Sequence, residues 1–268
     1  MSSVQVSAWR QELRWAVHDS LVVSARNLWH FARQPRLVVF TTIEPVMFVL
    51  LFAYVFGGAL SMALPPGTSY VDFLLPGIFV QSAAFRAVQT SVELAEDLER
   101  GVIDRFRSMP MARSAVLIGR TVADLARSTF VILLMVAVGY LIGFRFRAGV
   151  LQALGAIGVV ALFGFALSWI FAWVALIAGS VETAQSASFV TIYPLVFASS
   201  VFVPVETMPS WIRAVVQFSP VTLTANAARD LSIGGPVTAD LLGMLAWTAA
   251  IALVFVPLSV RRFRQATT

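Results

Sequence analysis

Neither cysteine nor lysine occurs in this chain of 268 residues. The first absence excludes disulfides and thiolate metal sites. The second excludes a Walker A phosphate loop, whose lysine grips the nucleotide phosphates. If ATP drives this protein, another polypeptide must bind it. H-E-x-x-H and G-x-S-x-G are missing too, and no pair of aspartates falls inside an apolar segment. An intramembrane enzyme therefore has neither its nucleophile nor its metal set. His18 and His30 are the only histidines, and no ligand cluster accompanies them. They read as surface residues, and no metal site is expected.

Charge is scarce as well. Charged residues make up 12% of the chain and hydrophobic ones 59%, and mean hydropathy is +0.84. A soluble domain carries about 25% charged and about 45–50% apolar residues. So little charge cannot cover a water-facing surface of this size, and lipid must be the solvent for most of the protein. The first 35 residues or so mix Arg, Glu, Asp and His with apolar positions, and no cleavable signal peptide is evident in them.

Six windows are long and apolar enough to cross a bilayer, which takes about 20 residues. They are 37–56, 73–92, a stretch within 113–143 whose apolar part starts near Thr129, a stretch within 150–179, 184–203 and 241–260. The net charge is +5, and every basic residue is an arginine. A nucleic-acid binder would cluster its basic residues on a soluble face. Here they lie between apolar segments, as topology signals do. Arg10, Arg14, Arg26, Arg33 and Arg36 precede the first window. Arg100, Arg105, Arg107, Arg113 and Arg120 follow the second, and Arg261, Arg262 and Arg264 close the chain. An arrangement with both termini inside puts all of these in the cytoplasm. It leaves only Arg145, Arg147, Arg213 and Arg229 outside. The expected fold is an all-α integral protein of the cell membrane, multi-pass, with both termini cytoplasmic. It is a single domain over 1–268: an amphipathic helix within 1–36, a six-helix membrane domain over 37–260 and a tail over 261–268.

The connections have structure of their own. Trp9, Leu13, Val17, Leu21, Ala25, Leu28 and Ala32 form one stripe with arginines beside it, the pattern of a helix lying in the headgroup plane. Between the second and third windows, Leu98, Val102, Phe106 and Met109 form an apolar face and charged residues the rest, until Met109-Pro110 stops the helix. Within 204–236, Trp211, Val215 and Phe218 share one face. Leu223, Ala227 and Leu231 share another after Pro220, so two short amphipathic helices are expected there.

A charge near the bilayer centre costs roughly 2.5–3.5 kcal/mol, so each one needs a reason. Glu44 precedes Pro45 in the first window. Arg86 sits mid-window in the second, with Glu93 two turns on, and is expected to face a protein interior or wet cavity, paired with a carboxylate. Arg120, Asp124 and Arg127 form a ladder on the third window. Gly155, Gly158, Ala161, Gly164 and Ala166 permit close packing of the fourth. Phe79, Phe85, Phe189, Tyr193 and Phe197 are core or lipid-facing residues on the plain reading, and a hydrophobic substrate path on the sharper one.

The stretch 93–124, ELAEDLERGVIDRFRSMPMARSAVLIGRTVAD, resembles the signature of type-2 ABC exporter permeases of the daunorubicin-resistance subfamily. So do FLLPGIFVQ at 73–81, GYLIGFRF at 139–146 and FVPVETMPSW at 202–211. The resemblance implies six transmembrane helices and a functional dimer with a second permease copy. It also implies two cytoplasmic ATPase subunits that carry the ATP and magnesium, so this chain itself holds no cofactor. The helix at about 97–108 would be the coupling helix, with Glu96, Asp97, Glu99, Arg100, Asp104, Arg105 and Arg107 as its polar contacts. The segment after Pro204 would be a re-entrant hairpin on the outer side. The aromatic residues of spans two and five would line the route of a hydrophobic or amphipathic cargo such as a drug, antibiotic or lipid. Two rival readings stay open: an exporter of polysaccharide or glycolipid built on the same design, and an ion-coupled transporter using Glu44, Arg86 and Glu93.

Overall fold

The computed structural model describes residues 35–62, 64, 68–101 and 113–266, with side chains within 43–62, 64, 68–101, 125–263 and 265. The N-terminal stripe of residues 1–34 and the segment 102–112 lie outside them. All regular structure among the described residues is helical.

Helix α1, Pro35–Leu50, runs on through a π-helical turn, Leu51–Phe56, and a last short turn, Gly57–Ser61. Helix α2 spans Tyr70–Glu99, which is longer than its apolar window. Beyond Val92 the sequence turns amphipathic without breaking, and Leu94 and Ala95 stay buried. The helix stops where Gly101 takes a left-handed φ of 63°. Asp97, Leu98 and Glu99 are therefore the final turn of α2. This corrects the expectation of a separate helix starting at Asp97.

Helix α3, Arg113–Leu141, returns along the bundle, followed by α4, Val150–Ala178. Gly179, at φ 76°, ends α4. One residue later the Ser180 side chain accepts the Thr183 N–H at 3.2 Å and caps α5, Val181–Phe197. The fifth apolar window, 184–203, overran this helix: residues 198–203 are a buried, non-helical loop. Its carbonyls are needed elsewhere, as shown below. Two short helices follow, α6 (Ser210–Val216) and α7 (Pro220–Ile233), matching the two amphipathic repeats. Helix α8 spans Thr238–Ala266.

Helices α2 and α4 form the centre. Their apolar windows are 78% and 67% buried, against 11% and 17% for those of α1 and α8. A charge-free helix such as α4 can be central because it packs against α2, α3, α5, α7 and α8 in turn. Its small residues let backbones meet: a Cβ on Gly164 would lie 3.1 Å from the Ala83 Cβ of α2. Four helices are long and apolar enough to cross a membrane, over Ile43–Ser61, Tyr70–Glu99, Val150–Ala178 and Thr238–Phe263. The chain is a multi-pass membrane protein. The apolar part of α3, Leu125–Leu141, and the 17-residue α5 are shorter.

Candidate functional site

At the Tyr70 end of α2, proline and arginine chemistry lock three elements together. Pro76 lies inside α2 and has no N–H to give, so the carbonyls one turn earlier lose part of their helical bonding. One of them, Phe73 O, accepts the Arg229 Nε of α7 at 2.7 Å. The same guanidinium donates to Ser200 Oγ at 3.1 Å, Asn226 Oδ1 at 2.9 Å, Val201 O at 2.9 Å and Ser200 O. It lies 3.7 Å from the centre of the Phe73 ring. The loop 198–203 leaves helical geometry so that Ser200 and Val201 can present these carbonyls. Burial lowers the Arg229 pKa to about 9, opposed first by the charge of Asp230. At neutral pH the side chain remains a cation. Burial also raises the Asp230 carboxyl, and the neighbouring Asp240 raises it further.

Two further bonds tighten this end. Tyr70 Oη donates to Phe202 O at 3.1 Å. Arg147, in the α3–α4 loop, pairs with buried Asp72 at 2.7 Å, and its N–H reaches Ser232 O of α7 at 2.8 Å. Arg229 was legible only as one more arginine in a charge count. The proline in α2 and the polar Ser199-Ser200 step at the close of an apolar window are the signals that bear on it.

Four of the five aromatic residues expected on a path come together, along α2 and α5. Phe85 meets Tyr193 edge-on at 5.5 Å. Tyr193 stacks with Phe189 at 5.4 Å and with Phe197 at 5.9 Å. The row goes on through Phe202 at 5.4 Å to Phe52 of the π-turn at 4.4 Å. Tyr193 and Phe197 are 47% and 48% exposed, so the row has an open side. Phe79 does not join it. It is fully buried and packs edge-on against Phe144 at 6.4 Å, as a core residue.

At the Glu99 end, Glu96 pairs with Arg100 at 3.0 Å across one exposed turn. Glu99 Oε1 accepts the Val181 N–H at 2.9 Å, which ties the last turn of α2 to the first of α5. Asp97 is half-buried on the same turn. Asp104, Arg105 and Arg107 fall outside the described residues. Of the intramembrane charges, Glu44 is exposed on α1. Glu93 pairs with Arg127 of α3 at 3.3 Å. The expected pairing of Arg86 with a carboxylate is thereby corrected: no described residue pairs with Arg86, and its Nε is buried without an acceptor. Among the described residues, no group of acidic and histidine side chains could hold a metal ion.

The comparisons agree with this layout. The ABC-2 type transporter family model matches residues 19–232. The chain is 36% identical over 250 residues to the daunorubicin resistance ABC transporter permease protein DrrB1 of Streptomyces coeruleorubidus, covering 93% of this chain and 87% of that one. It is 28% identical over 256 residues to the probable doxorubicin resistance ABC transporter permease protein DrrC of Mycobacterium tuberculosis, covering 95% and 91%. A probable multidrug ABC transporter permease of Escherichia coli, YbhR, is 26% identical over 163 residues, or 58% of this chain and 42% of that one. With a family match over most of its length and a relative this similar along nearly all of it, the chain belongs to the ABC-2 type transporter family.

Proposed function

We propose that the chain is the membrane subunit of an ATP-driven exporter that moves a hydrophobic or amphipathic compound out of the cell. The observation that carries this reading is the near full-length likeness to permeases named for resistance to daunorubicin and doxorubicin. The missing lysine fits it, since ATP and magnesium then belong to a separate ATPase. Two ATPase copies and a second permease copy complete the unit. The arginine distribution supports six spans, with both termini and the Glu99 end of α2 in the cytoplasm. The α6–α7 hairpin is then on the outer side, where exposed Trp211, Val215 and Phe218 rest in lipid.

The geometry offers a mechanism. The segment after Gly101 docks on the ATPase, with Glu96, Asp97 and Arg100 at its root and Asp104, Arg105 and Arg107 along it. Closure of the ATPase pushes this segment. The push reaches α2 directly and α5 through the Glu99–Val181 bond. These are the two helices that carry Phe85, Phe189, Tyr193 and Phe197, so the aromatic row moves with the ATPase. Two membrane states biased by the nucleotide are sufficient for alternating access.

Reversing both charges, Asp104→Arg with Arg105→Asp, is expected to cut ATPase co-purification and export severalfold while membrane insertion stays intact. Pull-down yield and export from vesicles measure this. Unchanged yield together with unchanged export would remove the docking role from the segment.

A further inference from the structure

We propose that the cleft beside Arg86 is a binding site for an oxyanion, the phosphodiester of a membrane phospholipid headgroup. Arg86 is the cation that the transport reading leaves unused. It sits near the middle of α2, a helix whose apolar window is 78% buried. A guanidinium there needs a counter-charge, because the low dielectric makes an uncompensated ion costly. No described residue supplies one. Glu93, the nearest carboxylate along the helix, is held by Arg127 at 3.3 Å. The Arg86 Nε is buried and has no acceptor.

The space beside Arg86 suits a small anion. Ala83 and Thr90 of α2, Ser128 of α3, and Gly164, Phe165 and Ser168 of α4 line it. Small side chains keep it open, and hydroxyls of three helices supply polar contacts. The cleft holds about 230 Å³ including its open mouth. That is below the roughly 300–1,000 Å³ of a drug-sized pocket. The contents are therefore a headgroup-sized ion and not an aromatic cargo.

Charge and place favour a lipid over free phosphate. A phosphodiester carries a single charge and matches one guanidinium through two parallel hydrogen bonds. Inorganic phosphate is partly a dianion near neutral pH and would bring a second uncompensated charge into the span. Arg86 lies seven residues from Glu93, or about 10 Å along the helix at 1.5 Å per residue. The Arg127–Glu93 pair closes the Glu99 side of the cleft, next to Ser128 in sequence. Phe130 and Leu133, exposed on α3, flank it with a lipid-facing surface. A headgroup drawn a short way into its leaflet can reach Arg86 from the side.

The test uses the full chain purified in neutral detergent from vesicles of phosphatidylcholine and phosphatidylglycerol, with retained lipid counted by native mass spectrometry. The wild-type chain is expected to retain phosphatidylglycerol over phosphatidylcholine by about tenfold, a step of one charge-assisted bond. Arg86→Gln is expected to lose that preference. Ser128→Asp is expected to lose it as well while keeping Arg86, because it places a carboxylate inside the cleft. Millimolar inorganic phosphate distinguishes the sources. If it displaces the retained lipid and binds with Arg86-dependent affinity, the site takes the oxyanion from solution and the lipid assignment is overturned. A wild-type chain without phosphatidylglycerol preference overturns the proposal without any variant, as does a preference that survives both substitutions. The readout is binding, so a negative result leaves the permease reading standing.

Discussion

Arg229→Leu is expected to abolish a stable fold at the Tyr70 end of the bundle. The leucine fills part of the space but strands Phe73 O, Ser200 O, Ser200 Oγ, Val201 O and Asn226 Oδ1 in an apolar setting. Each buried acceptor left without a donor costs about 1–3 kcal/mol. Several at once approach the whole stability of a typical domain, about 5–15 kcal/mol. The loop 198–203 has no helical bonds to fall back on, so α7 and α5 separate from α2. Size-exclusion profile and thermal unfolding in detergent measure the result. The expected outcome is aggregation, or a melting temperature lower by more than about 10 °C. Arg229→Lys is expected to lie between, since one ammonium cannot serve acceptors on three elements. A leucine variant that melts with the wild type would show that the guanidinium does not hold this end together.

Gly77→Val is expected to have an effect of similar size by a different route. Gly77 needs no unusual backbone angle; it is a glycine because of what approaches it. A Cβ there would lie 2.4 Å from Val201 O and 2.9 Å from Arg229 Nη2. The first neighbour is backbone and the second is clamped by its hydrogen bonds, so neither can move aside cheaply. The side chain must push the loop and α7 away from α2. The natural absence of cysteine gives a clean readout, because one introduced thiol is the only thiol in the chain. Ala225→Cys places it on α7 at a position with 0% exposure. Labelling is expected to be slow in the parent and faster by at least tenfold when Gly77 is valine. Equal labelling rates would mean the hairpin docks without the close approach at Gly77.

These two residues also mark where the sequence was hard to read. Apolar length and arginine placement found the membrane helices, because both are summed over many residues and tolerate local error. The π-turn of α1 and the early end of α5 were hidden, since each is decided by a few contacts with distant segments. Arg229 illustrates the difficulty: its partners are carbonyls 28, 29 and 156 positions away, which no composition reveals. The aromatic residues divide in a way that helix geometry explains. Phe189, Tyr193 and Phe197 follow one another at four-residue steps and share a face. Phe79 and Phe85 are six residues apart, which turns them about 120° from each other on a helix of 3.6 residues per turn. One reaches α5 and the other the core. Arg86 was legible as an anomaly, but Arg127, two helices' packing away in sequence terms, claimed the carboxylate expected for it.

The most direct test of the account is the energy source. The chain is reconstituted in vesicles with an ABC ATPase that co-purifies with it, and ATP-dependent movement of an amphipathic drug is followed. The account predicts movement that stops when the Walker A lysine of that ATPase is replaced. Export by the isolated chain, driven by a proton gradient and indifferent to the ATPase, would contradict it.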